Sequence, residues 1–190
     1  MDNKLPDALR HIESEAIKIG FKMSCSVIFG RLLRTLSASK PKGTLLEIGT
    51  GVGAGTSWML DGMDRSSRLC SIDIDPNVMA VARKHLSSDQ RLTLLDGDAT
   101  HYLAQAPSDS VDLLFADFRP GKFENRDDAI RILKNGGIYI VDDLLPQPTW
   151  PEDHQGRVDQ FLSEIFVEPR LSVVHMPWDS GIIIATKRDS

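Results

Sequence analysis

The run Leu45-Leu46-Glu47-Ile48-Gly49-Thr50-Gly51-Val52-Gly53-Ala54-Gly55-Thr56 constrains the fold more than any other part of this chain. Apolar residues lead into an acid, and glycines then follow at alternate positions. The segment 57–63, which comes next, is helix-like. Strand, tight turn and helix start follow one another, which is where open α/β sheets bind nucleotide-like ligands. Glycine admits positive φ and lets the backbone approach a ligand that a Cβ would repel. The pattern Gly49-x-Gly51-x-x-Ala54 also fits a relaxed dinucleotide fingerprint, so the glycines alone leave the ligand open.

Acids narrow the choice. Glu47 closes the first strand, where its charge would repel a pyrophosphate but could accept hydrogen bonds from a cationic amino group. A second strand, Leu69-Cys70-Ser71-Ile72-Asp73, ends in an acid 22 positions past Gly51, suited to ribose hydroxyls. A third, Leu92-Thr93-Leu94-Leu95, runs into Asp96-Gly97-Asp98-Ala99. Acids around the ligand fit an adenosyl amino acid better than a dinucleotide. Asp75 before Pro76 reads as a helix N-cap with proline at the first helical position.

Apolar periodicity predicts helices over 6–19 and 24–36, then a strand over 44–48. Helix and strand then alternate: helix 54–63, strand 68–73, helix 76–86, strand 91–95, helix 99–105 and strand 111–116. Helix 124–134, strand 137–141, helix 155–166 and strands 170–175 and 182–186 complete the pattern. The alternation implies a mostly parallel sheet with helices on both faces. The last connection, through Pro177-Trp178-Asp179-Ser180-Gly181, is too short for a parallel crossover, so the last strand pairs antiparallel. At 190 residues the expectation is one domain, with N-terminal helices over 1–40 and an α/β core over 44–188.

A net charge of −5 offers no electrostatic footprint for nucleic acid. Cys25 and Cys70 lack CxxC spacing and read as thiols of a reducing compartment. No apolar signal core opens the sequence and no apolar run has the length of a membrane span, so the expected location is cytoplasmic.

Glu47-Ile48-Gly49-Thr50-Gly51-Val52-Gly53, then Ile72-Asp73-Ile74-Asp75-Pro76, then Gly97-Asp98-Ala99, resemble the class I S-adenosylmethionine (SAM)-dependent methyltransferases. The resemblance implies a Rossmann-like, seven-stranded sheet of order 3-2-1-4-5-7-6. It implies that Glu47 and the loop residues Gly49, Thr50, Gly51 and Gly53, with Thr56 behind them, hold the methionine moiety. Asp73 would take the ribose, and Ile74, Asp98 and Ala99 would frame the adenine.

Two further strands end in acids, at Phe115-Ala116-Asp117 and at Val141-Asp142-Asp143. Carboxylates gathered at one sheet edge repel unless a cation lies among them, and oxygen ligands suit Mg²⁺, Ca²⁺ or Mn²⁺. With Lys22-Met23-Ser24 and the closing segment 176–188, these residues resemble the catechol and caffeoyl-coenzyme A type of O-methyltransferase. That family implies a divalent ion on Asp117, Asp142 and Asp143, with Asp117 also reaching the cofactor and Met23 beside the SAM methionine. The chain departs from the family at two points. Asp143 stands where the family has Asn. Pro120 stands where it places a lysine, general base and substrate orienter, three residues after the strand-four acid. Lys122, beyond the flexible Gly121, is the candidate to reach the same space; Asp117 and Lys122 are thus the candidate catalytic residues.

The loop 144–154 follows the acids and is stiffened by Pro146, Pro148 and Pro151. Trp150 is a candidate wall for an aromatic acceptor, and His154 is the one histidine in this loop. Trp58 reads as core, and Tyr139 as strand packing. The expected activity is methyl transfer to a hydroxyl of a small aromatic or vicinal-diol acceptor. Metal-independent N- or O-transfer and tRNA modification on the same fold are the alternatives, with hydride transfer on NAD behind them. No membrane partner is expected, and a homodimer is the oligomer the family implies.

Overall fold

The computed structural model describes residues 4–147 and 150–189. Pro148 of the proline-rich loop and Met1, Asp2 and Asn3 lie outside them. Two compact units divide the chain after Asp98.

The first unit runs α1 (Leu9–Lys18), α2 (Val27–Ala38), β1 (Thr44–Ile48), α3 (Ala54–Gly62), β2 (Arg68–Asp73), α4 (Pro76–Leu86) and β3 (Leu92–Asp96). β1 pairs parallel with β2, and β2 with β3. In β1, Leu45, Leu46, Glu47 and Ile48 are all buried, the near-continuous burial of a parallel strand covered on both faces. Ser26 caps α2 by accepting the Phe29 N–H at 3.1 Å. Asp75 caps α4 through the N–H groups of Asn77 and Val78, with Pro76 at the first turn, as the sequence implied. Trp58 on α3 is fully buried. It fits because α2 offers Gly30 opposite it: a Cβ there would fall 2.2 Å from Trp58 Nε1. The Arg34 guanidinium lies 5.0 Å over the same indole and pairs with Asp61 at 2.6 Å.

The second unit runs α5 (Ala99–Gln105), β4 (Val111–Ala116), α6 (Arg126–Ile132), β5 (Leu133–Val141), α7 (His154–Ile165), β6 (Leu171–Met176) and β7 (Ile182–Lys187). β4 and β5 are parallel, while β7 runs antiparallel to both β5 and β6, as the short connection required. The strand order over the sheet is β3-β2-β1-β4-β5-β7-β6. Several boundaries differ from the periodicity by a few residues, as where α1 begins at Leu9 and α2 at Val27, and one has a direct cause. The helix expected to reach residue 134 stops at Ile132, because Leu133 already pairs with Val111. Leu113 then pairs with Ile138, so β5 carries extra residues in an irregularity around Gly136, which has φ +75°.

Among the described residues no helix is long and apolar enough to cross a membrane. Cys25 and Cys70 are half-buried and in no disulfide.

Candidate active site

After β1 the backbone takes positive φ at each odd position, Gly49 (+101°), Gly51 (+52°) and Gly53 (+91°). That path costs an L-residue strain three times over, which is why glycine recurs there. Gly53 has a second reason, since a Cβ would meet Ala82 Cβ on α4 at 2.8 Å. The loop is tied to β2. The Gly49 and Thr50 N–H groups both donate to the Ile72 carbonyl, at 2.8 and 3.3 Å. Gly51 N–H donates to Asp73 Oδ2 at 2.7 Å, and Asp75 N–H to Asp73 Oδ1 at 2.9 Å. Each carboxylate oxygen carries about two acceptor sites, so Asp73 keeps capacity for hydroxyl donors beyond these bonds.

Glu47 faces inward. It is buried, and its Oε2 accepts from Thr56 Oγ1 and Ser71 Oγ, each at 2.5 Å. Ser71 spends its only hydroxyl proton on Glu47, so the 2.6 Å contact with Thr50 Oγ1 is donated by Thr50. A buried chain, Thr50 to Ser71 to Glu47 with Thr56 on the same oxygen, therefore fastens β1, β2 and α3 under the loop. Burial pushes the Glu47 carboxyl up to about 7, against the hydrogen bonds from Ser71 and Thr56 and with the Asp73 charge adding to the rise. Sequence reasoning missed Ser71; the only signal was a small polar residue inside an apolar strand. The other expected ligand positions lie as follows. Ile74 and Asp98 are exposed at the ends of their strands, Ala99 is buried, and Met23 is exposed in the segment joining α1 to α2.

In the second unit the turn after Asp117 is built around Gly121. Its N–H donates to the Glu124 carbonyl at 2.7 Å, and the Arg119 carbonyl accepts from Lys122, Phe123 and Glu124. The Tyr139 hydroxyl donates to the Gly121 carbonyl from inside the sheet. Burial raises the Tyr139 pKa, so the hydroxyl stays a donor. Tyr139 is thus more than strand packing: it pins the turn that sends Lys122 inward. Tyr139→Phe should remove that anchor and cost about 1–2 kcal/mol. For a chain of this size that is a fall in Tm of very roughly 2–8 °C, checked by thermal denaturation.

Lys122 is 3% exposed. Its Nζ donates to the carbonyls of Asp142 at 2.6 Å and Asp143 at 3.1 Å and lies 4.7 Å over the Phe123 ring. Burial pulls its pKa down, while the charges of Asp117, Asp143 and Asp142 pull it back up. Asp142 is buried, and its Oδ1 accepts from Ser180 Oγ and from Asp143 N–H. Burial lifts its carboxyl to about 6, against those two bonds and the Lys122 charge. Asp143 sits at φ +63°, and both its oxygens accept from Trp150 Nε1 at 2.8 Å. Ser180 itself is placed by the closing hairpin, whose Ser180 carbonyl accepts from Leu144 and Leu145 at 2.9 and 2.7 Å. Gly181 allows that closeness, since a Cβ would stand 2.5 Å from Leu145 N.

Asp117, Asp142 and Asp143 are the positions at which the resemblance implied a divalent ion. Among the described residues no three His, Cys, Asp or Glu side chains converge to hold an ion. An ammonium stands among the acids, and Asp143, at the family's Asn position, is engaged by the Trp150 indole instead.

Aromatic rings cover this region. Trp150 and His154 lie 4.2 Å apart by ring centroids, and Phe123 meets His154 edge-on at 5.3 Å and Phe161 at 6.1 Å. His154 Nε2 is 3.6 Å from Asp143 Oδ2, and burial lowers its pKa, with Lys122 adding to the effect. Trp178, in the hairpin turn, is exposed.

Comparison with known proteins agrees with this geometry. Residues 46–144, more than half of the chain, match the family model described as "Methyltransferase domain", and the chain belongs to that family. A protein of Mycobacterium ulcerans (strain Agy99) named "Putative O-methyltransferase" is 27% identical over 191 residues, 94% of this chain and 84% of that protein. The O-methyltransferase from Bacillus cereus, solved in complex with S-adenosylhomocysteine (SAH), superposes with a TM-score of 0.84 at 20% identity, covering 99% of this chain and 94% of that one. The O-methyltransferase TomG from Streptomyces achromogenes, in complex with SAM, gives 0.84 at 19% identity over 98% of this chain and 92% of its own. These structural likenesses establish the shared fold.

Proposed function

We infer that this chain transfers the methyl group of SAM to a hydroxyl oxygen of a small aromatic acceptor. The observation that carries the reading is the acid-tied glycine loop, in which Asp73 holds the Gly51 N–H at the C-terminal end of β2. That crevice is where an open parallel sheet binds its ligand. The printed name of the Mycobacterium ulcerans relative supports oxygen as the atom methylated. The rings of Phe123, Trp150 and His154 support an aromatic acceptor.

In this reading Asp73 accepts the ribose hydroxyls, and the backbone of Gly49 to Gly53 lies against the methionine moiety. Glu47 holds the loop beside the methionine moiety from beneath. Ile74, Asp98 and Ala99 border the adenine, and Met23 would pack near the methionine. The acceptor oxygen attacks the methyl carbon in line with sulfur. An O–C bond forms, the C–S bond breaks, and its electron pair returns to sulfur, leaving neutral SAH. The hydroxyl proton passes to a carboxylate, for which Asp117 is the candidate. Holding two reactants in line can supply about 7–11 kcal/mol of barrier lowering, so positioning rather than covalent chemistry carries the rate. No step is assigned to a divalent ion, since among the described residues no three His, Cys, Asp or Glu side chains converge to hold one.

Calorimetric titration with SAH tests the reading. The wild-type protein should bind one equivalent. Asp73→Ala should weaken binding by about 10- to 100-fold, the value of a hydrogen bond to a charged group. Unchanged affinity in the variant would remove Asp73 from the site, and no SAH binding in the wild type would remove the function.

A further inference from the structure

Acids collected at a sheet edge need a countercharge. The resemblance assigned that task to a divalent ion and made a lysine the base beside it. Here the lysine has moved two residues along the chain, and its surroundings differ in kind. Gly121 at φ +80°, pinned by Tyr139, turns the backbone so that Lys122 points inward. Its Nζ is buried and held by two main-chain carbonyls, those of Asp142 and Asp143. The charges of Asp117, Asp142 and Asp143 all act on it. A buried cation persists only where such partners compensate its lost hydration. The acids are arranged to match: Asp143 accepts from Trp150 on both oxygens, and Asp142 accepts from Ser180.

We propose that the Lys122 ammonium is the resident cation of the acceptor site, replacing the divalent ion, and that it grips the acceptor oxygen directly. This rests on the methyl-transfer reading above. An ammonium has three N–H donors, and two are given to the carbonyls of Asp142 and Asp143. The third is the donor for the reacting oxygen. It stabilises the negative charge that develops there as the proton leaves and needs no reorganisation at the moment of reaction. One N–H grips one oxygen, so a single hydroxyl is enough for recognition. Lys122 is in this sense a catalytic residue, acting as a fixed charge.

The test is a titration of Mn²⁺ into SAH-saturated wild-type protein, followed by calorimetry. Methyl transfer to a monohydroxy phenol is then compared with and without excess chelator, and in Lys122→Met. The wild type should take up no stoichiometric Mn²⁺, and its turnover should be indifferent to chelator. Lys122→Met should lose about 100-fold or more in kcat, the scale of removing one preorganised donor, with SAH affinity unchanged. Stoichiometric Mn²⁺ binding, chelator-sensitive turnover or full turnover in Lys122→Met would each overturn the proposal. If Lys122→Met does not fold, the two wild-type measurements decide it. Absence of SAH binding would instead strike the methyl-transfer reading, so the two failures are distinguishable.

Discussion

Glu47→Gln should be more stable than the wild-type chain at pH 8 by about 3 kcal/mol, and nearly equal to it at pH 4.5. The carboxyl is fully buried, with two hydroxyl donors on one oxygen, and its folded pKa is raised from 4.5 to about 7. A raised carboxyl pKa means that the folded state holds the proton more tightly than the unfolded one. Its contribution to stability is therefore fully present below 4.5 and is lost as pH rises through about 7. A shift of about 2.5 units is worth about 3 kcal/mol. Gln cannot ionise, and its carbonyl oxygen can accept from both Thr56 and Ser71. Urea unfolding of both proteins at several pH values reads the difference. A wild-type and variant pair that keeps a constant gap from pH 4.5 to 8 would show that Glu47 does not titrate in that window. The same variant separates scaffold from ligand contact: SAH affinity should fall if the Glu47 charge attracts the amino group, and stay if it only braces the loop.

Gly30→Ala and Gly156→Ala should move stability in opposite directions. Both glycines lie in helices, where exchange to alanine ordinarily gains about 0.5–1 kcal/mol. At Gly156 in α7 nothing lies within 4 Å of the added methyl, so the gain of about 0.5 kcal/mol should appear. At Gly30 the methyl would stand 2.2 Å from Trp58 Nε1, with Trp58 Cδ1 and Cε2 at 2.3 and 2.4 Å. The indole is fully buried on α3 and cannot swing away, so α2 must lift. Overpacking of this kind costs about 1–3 kcal/mol and outweighs the helix gain. Equal signs in chemical denaturation would mean that α2 and α3 are not locked through this contact.

How much of this was legible beforehand depended on the range of the interaction. The glycine loop, the Asp75-Pro76 cap and the closing hairpin are local, written in residues a few positions apart, and the structure carries them at the expected places. The strand order came from resemblance, and pairing bears it out. Boundaries such as the start of β5 were not legible, because pairing of Leu133 with Val111 overrides helical periodicity.

The sequence by itself determined the alternating α/β plan, the glycine loop after β1 and the acids at the strand ends. Period and turn chemistry act over a handful of residues, and each position there has one steric solution. Only the tertiary structure decided what those acids do. Ser71 and Thr56 turn Glu47 into a buried brace, Tyr139 pins the turn at Gly121, and Ser180 and Trp150 engage Asp142 and Asp143 around the Lys122 ammonium. Most of these partners lie many residues apart in the chain, and the ionisation and hydrogen bonding of a carboxylate follow from what is packed against it rather than from its neighbours in sequence.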